Sequence, residues 1–245
     1  MSTATGAHIV KSYDEELQRL SKTIVEMGGL AEAQLEAAIE AVVQRDPELA
    51  ARVIDDDKKV DQCEFEVDSL ATRLLALRQP MAVDLRNIVG ALRIASDVER
   101  IADYAANIAK RSIALSGMTP VNPVHAVPRM GRVALNMIRD VLDGYIDRNT
   151  DKAIKVWYAD EELDEMYTSL FRELLTYMME DPRSITACTH LLFIAKNIER
   201  IGDHVTNVAE TIYFLVKGTR LQEVRPKGGQ DYKISVADLS GPDKQ

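Results

Sequence analysis

The sequence predicts an all-α protein of six long helices, forming two pseudo-symmetric antiparallel three-helix bundles. One basis is a repeat: residues 99–103, Glu-Arg-Ile-Ala-Asp, recur one hundred positions later as residues 199–203, Glu-Arg-Ile-Gly-Asp. The other is composition, which is 46% hydrophobic but only 5% aromatic and favours helix formers over strand formers. A duplicated helical unit explains both observations.

The repeat continues upstream of this motif in a register of 103 residues, so the second copy is three residues shorter. A shared order of features with one small deletion indicates homologous halves. We therefore assign residues 1–117 to the first bundle repeat and residues 128–218 to the second. The matched positions are Met27-Gly28 with Met130-Gly131, Arg45 with Arg148, Asp46 with Asn149, Asp57 with Asp160, and Asp61 with Asp164.

The first three helices are predicted over residues 12–45, 47–78 and 81–116. Asp46 is a good N-cap for the second helix, and Pro47 suits its first turn. The proline after residue 79 ends that helix. The third helix has apolar residues at steps of three and four, as a bundle helix requires. These residues are Leu85, Ile88, Leu92, Ala95, Val98 and Ala102.

The last three helices are predicted over residues 128–148, 150–180 and 183–217. Asn149 occupies the capping position that Asp46 holds in the first half, and Asp181 precedes a proline in the same way. Three antiparallel helices packed at about 20° to one another are the simplest arrangement for each half.

Two segments fall outside the helices. Residues 117–127 contain two prolines and separate the halves. Residues 225–245 are polar and rich in Gly, Pro and Lys, so we expect a disordered C-terminal tail.

Charge and cysteine usage narrow the function class. The formal net charge of −9 argues against nucleic acid as a partner, because phosphate neutralisation needs a basic face. Cys63 and Cys188 have no CxxC spacing, so we expect buried free thiols in a reducing cytosol. The most apolar uncharged run, residues 186–195, is too short to span a bilayer, and any membrane association is expected only through a partner.

Four pairs of acidic residues at a spacing of four are the candidate metal ligands. Such pairs share a helix face, and each half carries two of them on adjacent helices. Clustered carboxylates suit hard, oxygen-preferring cations or iron and manganese. The alternative is a solvated face whose charges are neutralised by Arg100 and Arg200. The pairs are Asp57 with Asp61, Glu99 with Asp103, Asp160 with Asp164, and Glu199 with Asp203.

Neighbouring residues distinguish the two predicted sites. Glu64 and Asp68 extend the first acidic row, but aromatic residues replace them in the second half, so the sites should differ. Asn107 and Asn207 lie one turn beyond the acidic motifs, where they can hydrogen-bond the carboxylates or extend the site. His204 lies beside Asp203 but points about 100° away, which favours a supporting or surface role.

These residues resemble the PhoU family of bacterial accessory and regulatory proteins of phosphate transport. The resemblance rests on the doubled Glu-Arg-Ile-x-Asp, the Met-Gly of each first helix, Asp84-Leu85-Arg86 and Glu180-Asp181-Pro182. It extends from Tyr13 to Lys217. It implies two three-helix bundles whose acidic motifs bind metal ions, identified in different family members as iron, zinc, manganese or magnesium. On this resemblance all eight paired acids are metal ligands, and Arg100 and Arg200 position them by salt bridges.

The resemblance also implies a function and partners. PhoU-like proteins are negative regulators of phosphate uptake and phosphate-starvation signalling. By the same analogy this chain would be a cytoplasmic adaptor, and a homodimer, that contacts the ATPase subunit of the phosphate ABC transporter and the phosphate-sensing histidine kinase. Fold-level analogy is the basis for this assignment.

Two rival functions stay open at this point. A carboxylate-bridged metalloenzyme usually supplies Glu-x-x-His on two helices, and none of the four histidines has a Glu three residues before it. The sequence also shows no nucleophile with its base and no phosphate-cradling glycine loop, so we expect no catalytic activity. The second rival is a helical scaffold whose acids are all solvated.

Overall fold

The computed structural model describes residues 3–221, with side chains described from residue 13. These residues form six α-helices and two short 3-10 helices, with no strand among them, which confirms the predicted all-α class. The helices are α1 (Thr3–Gln44), α2 (Pro47–Arg78), α3 (Val83–Ser116), α4 (Val127–Asp147), α5 (Thr150–Glu180) and α6 (Ile185–Lys217), and the 3-10 helices are Asn122–Ala126 and Pro182–Ser184.

Three helix starts differ from the prediction by two residues or more. α1 begins at Thr3 instead of residue 12, because no proline interrupts the preceding residues. α3 begins at Val83 because Ala82 has φ 49° and ψ −105°, which lies outside the helical region. α6 begins at Ile185, after a 3-10 turn. The predicted tail over residues 225–245 lies outside the described residues.

The predicted caps are present at equivalent helix starts. Asp46 accepts hydrogen bonds from the backbone N–H of residues 48 and 49, both at 2.9 Å. Asn149 accepts from residues 151 and 152 at 2.9 and 3.1 Å. Each cap satisfies two N–H groups that have no partner within the helix, and such a cap contributes about 1 kcal/mol.

The residue before each of these caps is an arginine in the left-handed conformation. Arg45 has φ 57° and Arg148 has φ 52°, so the turn geometry is repeated in the register of 103. The Arg45 guanidinium donates to the carbonyl oxygens of Leu115 and Ser116 at 2.8 Å, and also to that of Met118. It thereby joins the last carbonyls of α3, which lie beyond the regular helical hydrogen bonds, to a carbonyl of the following turn.

The two bundles pack through α3 against α6 and through α1 against α4. The α1–α4 contact is reciprocal: a Cβ on Gly28 would overlap Leu142, and a Cβ on Gly131 would overlap Ile39. Gly28 and Gly131 are repeat-equivalent, as are Ile39 and Leu142. The glycine of each Met-Gly pair therefore allows α1 and α4 to pack closely.

The core runs through both bundles and consists mainly of aliphatic side chains. Cys188 is buried as predicted, whereas Cys63 is only half-buried, and both are free thiols. No helix in the described range combines the length and apolarity that crossing a membrane requires.

Candidate functional site

α2 and α3 bring five carboxylates of the first half together. We call this set, Asp57, Asp61, Glu64, Glu99 and Asp103, the first acidic cluster. Burial raises the pKa of Asp57, and the charges of Asp103 and Asp61 raise it further. The pKa values of Glu99 and Glu64 are likewise raised, first by burial and then by neighbouring carboxylates. The acids are therefore close enough to repel one another.

Two polar side chains hold the first acidic cluster. Arg100 places its Nε 3.5 Å from Glu99 Oε2 and donates from Nη1 to Asp103 Oδ2 at 3.1 Å. This is the positioning salt bridge expected of Arg100. Gln34, on α1, donates from Nε2 to Asp57 Oδ1 at 3.0 Å and to the carbonyl of Val53 at 3.1 Å.

The second acidic cluster, Asp160, Asp164, Glu199 and Asp203, lies between α5 and α6. Asp160 is 1% exposed and Asp164 is half-buried one turn further along α5. A Cβ at Gly202 would lie 2.7 Å from both Asp160 Oδ1 and Leu163 Cδ2. The glycine at this position, where the first half has Ala102, therefore lets the buried carboxylate approach the α6 backbone.

The two carboxylate oxygens of Glu199 have different surroundings. Its Oε1 accepts from Lys196 Nζ at 2.6 Å, while its Oε2 is buried with no hydrogen-bond partner among the described residues. Burial raises the pKa of Glu199, the Lys196 ammonium opposes this, and the charges of Asp203 and Asp160 add to the rise. A buried carboxylate oxygen without a donor is costly unless a cation approaches it.

Lys196 was not identified from the sequence. Its ammonium lies 5.0 Å from the centroid of the Tyr167 ring, and Tyr167 occupies the position that Glu64 has in the first half. The second cluster thus exchanges a carboxylate for an aromatic ring with a cation above it. The surroundings of the two clusters therefore differ.

The remaining supporting residues form hydrogen bonds outside the acidic motifs. Arg200 donates to the hydroxyl of Tyr104 at 3.3 Å, across the contact between the halves. That hydrogen bond raises the pKa of Arg200, and the charges of Glu199 and Asp203 raise it further. Asn207 donates to Asp97 Oδ1 at 3.2 Å, and Asn107 accepts from Lys110 at 3.3 Å. Both asparagines therefore hydrogen-bond residues outside the acidic motifs.

His204 is also turned toward the other half. Its Nδ1 lies 2.8 Å from Asp97 Oδ1, and because a carboxylate can only accept, Nδ1 carries the proton. The His204 ring lies 5.6 Å from that of Tyr104. Asp97 was not identified from the sequence, and it lies with His204 and Asn207 where α3 crosses α6.

The donor chemistry of both clusters fits a metal ion. Several carboxylates converge, burial and mutual repulsion raise the pKa values of Glu99 and Glu199, and one buried Glu199 oxygen has no donor in the described chain. No three His, Cys, Asp or Glu side chains within residues 13–221 already stand in coordinating geometry. Metal binding would therefore require carboxylates to rotate inward, and it stays a prediction.

Comparison with known proteins gives a consistent result. A family model described as the PhoU domain matches residues 24–112 and 127–212. The chain is 50% identical over 221 residues to the phosphate-specific transport system accessory protein PhoU homolog of Caulobacter vibrioides, covering 90% of this chain and 96% of that protein.

Two crystal structures are also similar. That of PhoU from Pseudomonas aeruginosa superposes with a TM-score of 0.82 at 37% identity, covering 84% of this chain and 100% of that one. That of the phosphate transport system regulatory protein PhoU from Streptococcus pneumoniae has a TM-score of 0.80 at 29% identity, with coverage of 86% and 100%.

Proposed function

Because this chain belongs to the PhoU family, we propose that it is a negative regulator of phosphate uptake and of phosphate-starvation signalling. The observation that carries the proposal is similarity along 90% of the chain to a protein named as a phosphate transport accessory protein. The matched Streptococcus pneumoniae structure is named as a regulatory protein of the same transport system.

The proposed mechanism is that of a cytoplasmic, homodimeric adaptor. The chain would bind the ATPase subunit of the phosphate ABC transporter and the phosphate-sensing histidine kinase, and pass the state of the first to the second. Two features support this mechanism. The two halves pack together through α1 with α4 and α3 with α6. This packing would couple a shift in one bundle to the other. The two acidic clusters also offer charged surfaces that a basic partner can recognise.

Within this proposal the acidic clusters hold metal ions. All their ligand atoms are carboxylate oxygens, which suits magnesium, manganese and ferric iron, and zinc also accepts such ligands. Arg100 and Lys196 would orient Glu99 and Glu199 respectively toward the ion. The bound charge would relieve the repulsion that raises their pKa values.

Deletion of the gene tests the regulatory function. Starvation genes should then be expressed in phosphate-replete cells, and the wild-type gene should restore repression. The wild-type chain should also co-purify with the transporter ATPase and the kinase to an extent that depends on added phosphate. Repression that persists without the gene would contradict the proposal.

One observation favours a second candidate, a carboxylate-bridged metalloenzyme. The pKa values of Glu99 and Glu199 are raised by burial, as is common for carboxyl groups that transfer protons. However, the Nδ1 of His204 bonds Asp97 instead of an acidic cluster. Turnover of a phosphate or redox substrate that Glu99→Gln or Glu199→Gln abolishes would support the enzyme and overturn the adaptor.

A further inference from the structure

A basic pocket lies beside the first acidic cluster, where the last turns of α3 pass the first half of α6. Its volume is about 460 Å³, and Lys110 and Arg111 of α3 face His190, Phe193 and other residues of α6 across it. No carboxylate lines this pocket. A pocket lined by cationic groups stands out on a chain whose net charge is −9.

The cationic groups of this pocket are available to a ligand. Within the described chain neither Lys110 nor Arg111 forms an ion pair; the Lys110 ammonium donates to Asn107 Oδ1 at 3.3 Å. The Arg111 guanidinium lies 4.4 Å from the centroid of the Phe193 ring, which fixes the plane of the guanidinium while its N–H groups stay able to donate.

His190 contributes a third group. Its Nδ1 is buried and has no hydrogen-bond partner among the described residues. Burial lowers the pKa of His190, and the nearby charge of Arg111 lowers it further. An anion in the pocket would offset the repulsion between a protonated His190 ring and Arg111.

The repeat provides an internal comparison. The equivalent pocket of about 260 Å³ on the other side of the α3–α6 contact is lined by Arg93, Glu210 and Thr211, among others. Glu210 and Thr211 stand at the positions of Lys110 and Arg111, and Glu210 accepts from the indole N–H of Trp157 at 3.0 Å. The counterpart pocket also contains Arg220, but it includes the Glu210 carboxylate, so of the two pockets only the first is lined by cationic groups without an acid among the described residues.

We propose that the pocket of Lys110, Arg111 and His190 binds a phosphoryl group, either as inorganic phosphate or as part of a small phosphomonoester. A guanidinium fork, an ammonium and an imidazole N–H match the several acceptor oxygens of such a group. The amides of Asn107 and Asn197 add neutral donors at the rim. This site does not depend on the adaptor role or on metal in the acidic clusters.

Calorimetric titration of the full chain with inorganic phosphate tests the site. Saturable binding is expected, and acetate should not compete. Lys110→Glu with Arg111→Thr gives the pocket the residues of its counterpart, and should weaken binding at least about tenfold because two charged donors are lost. Arg93→Gln, in the counterpart pocket, is the matched control and should bind like the wild type.

Further arms identify the source of the phosphoryl group. Glycerol phosphate binding tighter than inorganic phosphate assigns a phosphomonoester, and the reverse order assigns the free anion. Arg111→Lys is the fallback if circular dichroism shows that the double variant does not fold. It keeps the charge but loses the guanidinium fork, so it should bind phosphate more weakly than the wild type. Absence of saturable binding at millimolar phosphate, or equal affinity in wild type and Arg111→Lys, would overturn the proposal.

Discussion

The first and second acidic clusters occupy equivalent positions but differ in burial. In the first cluster the side chain of Glu99 is 19% exposed, and its partner Arg100 is 55% exposed. In the second, Glu199 is 12% exposed and Asp160 is 1% exposed, with Lys196 as the close cation. Four of the five carboxylates have a counterpart in the other half, while Glu64 is replaced by Tyr167 and the cations and helix contacts differ.

This difference shows which features of the clusters the helix geometry fixes and which it leaves free. Carboxylates at a spacing of four share one helix face, and in both halves these faces of two adjacent helices lie together. The counter-charges differ between the halves, since Arg200, the counterpart of Arg100, donates to Tyr104, and Lys196 pairs with Glu199 instead. The two clusters should therefore differ in metal affinity and in sensitivity to pH.

The largest expected effect is loss of metal from one half only. Glu199→Gln with Asp203→Asn should remove the metal of the second cluster and leave the first occupied, because these amides carry no charge. Elemental analysis of untagged protein gives the stoichiometry, with helicity from circular dichroism as the folding check.

Asp55→Asn with Asp56→Asn is the matched control for this variant. Both aspartates lie on α2 next to the first cluster, but their side chains are 75% and 55% exposed and pair with Lys58 and Lys59. Equal metal content in the cluster variant and the wild type would remove Glu199 and Asp203 from the ligand set. A wild type that binds no metal would favour solvated acids.

The next effect concerns the glycine that only the second cluster has. Gly202→Ala should lower the free energy of unfolding by about 1–3 kcal/mol, since its Cβ would crowd Asp160 and Leu163. Urea denaturation measures this. A Cβ at Gly29, also in a helix, meets no atom within 4 Å, so Gly29→Ala should be neutral or stabilising. Similar results for both variants would show that the second cluster is no tighter than the first.

A smaller effect should appear in the pH dependence of stability. The folded pKa of Glu199 is raised by burial, so the folded state holds this proton more tightly than the unfolded chain. The resulting loss in the free energy of unfolding is absent below the unfolded pKa, about 4.3, and grows as pH rises through the folded pKa. With a metal chelator present, Glu199→Gln should therefore be more stable than wild type at pH 7. This difference in stability should vanish near pH 4.

The same measurement on Glu99→Gln sharpens the contrast between the clusters. The pKa of Glu99 is also raised by burial, but Glu99 is more exposed and Arg100 opposes the rise. Its pH-dependent gain should be the smaller of the two. A larger gain for Glu99→Gln would reverse the assignment of the tighter cluster.

The smallest effect is expected at Arg100. Arg100→Gln breaks two contacts of an exposed side chain, so the free energy of unfolding should fall by only about 0.2–1 kcal/mol. Lys196→Gln should cost more, because it leaves Glu199 less well paired at a more buried position. Equal losses would mean that burial does not distinguish the two counter-charges.

The sequence predicts the helices and the acidic residues well because both recur. Capping residues and carboxylates have a counterpart in the other half, so each observation is made twice. Lys196, Gln34 and Asp97 were missed because each occurs once: their counterparts are Ser96, Met137 and Asn197. Gln34 did leave a signal, since it is a polar residue at a position where the other half is apolar.

Contacts between the halves could not be predicted in the same way. The pairing of Asp97 with His204 and Asn207 depends on where α3 crosses α6, which neither helix specifies alone. The start of α3 was also missed, because the backbone at Ala82 is set by the turn and not by a capping side chain.

The contact of α1 with α4 also indicates how the chain arose. Gly28 faces Leu142 and Gly131 faces Ile39, so residue i of one half meets residue j of the other, and j meets i. This reciprocity defines an isologous interface, the kind by which identical subunits form a twofold dimer. It is the arrangement expected if a half-length ancestor first paired with itself and its gene was later duplicated and fused.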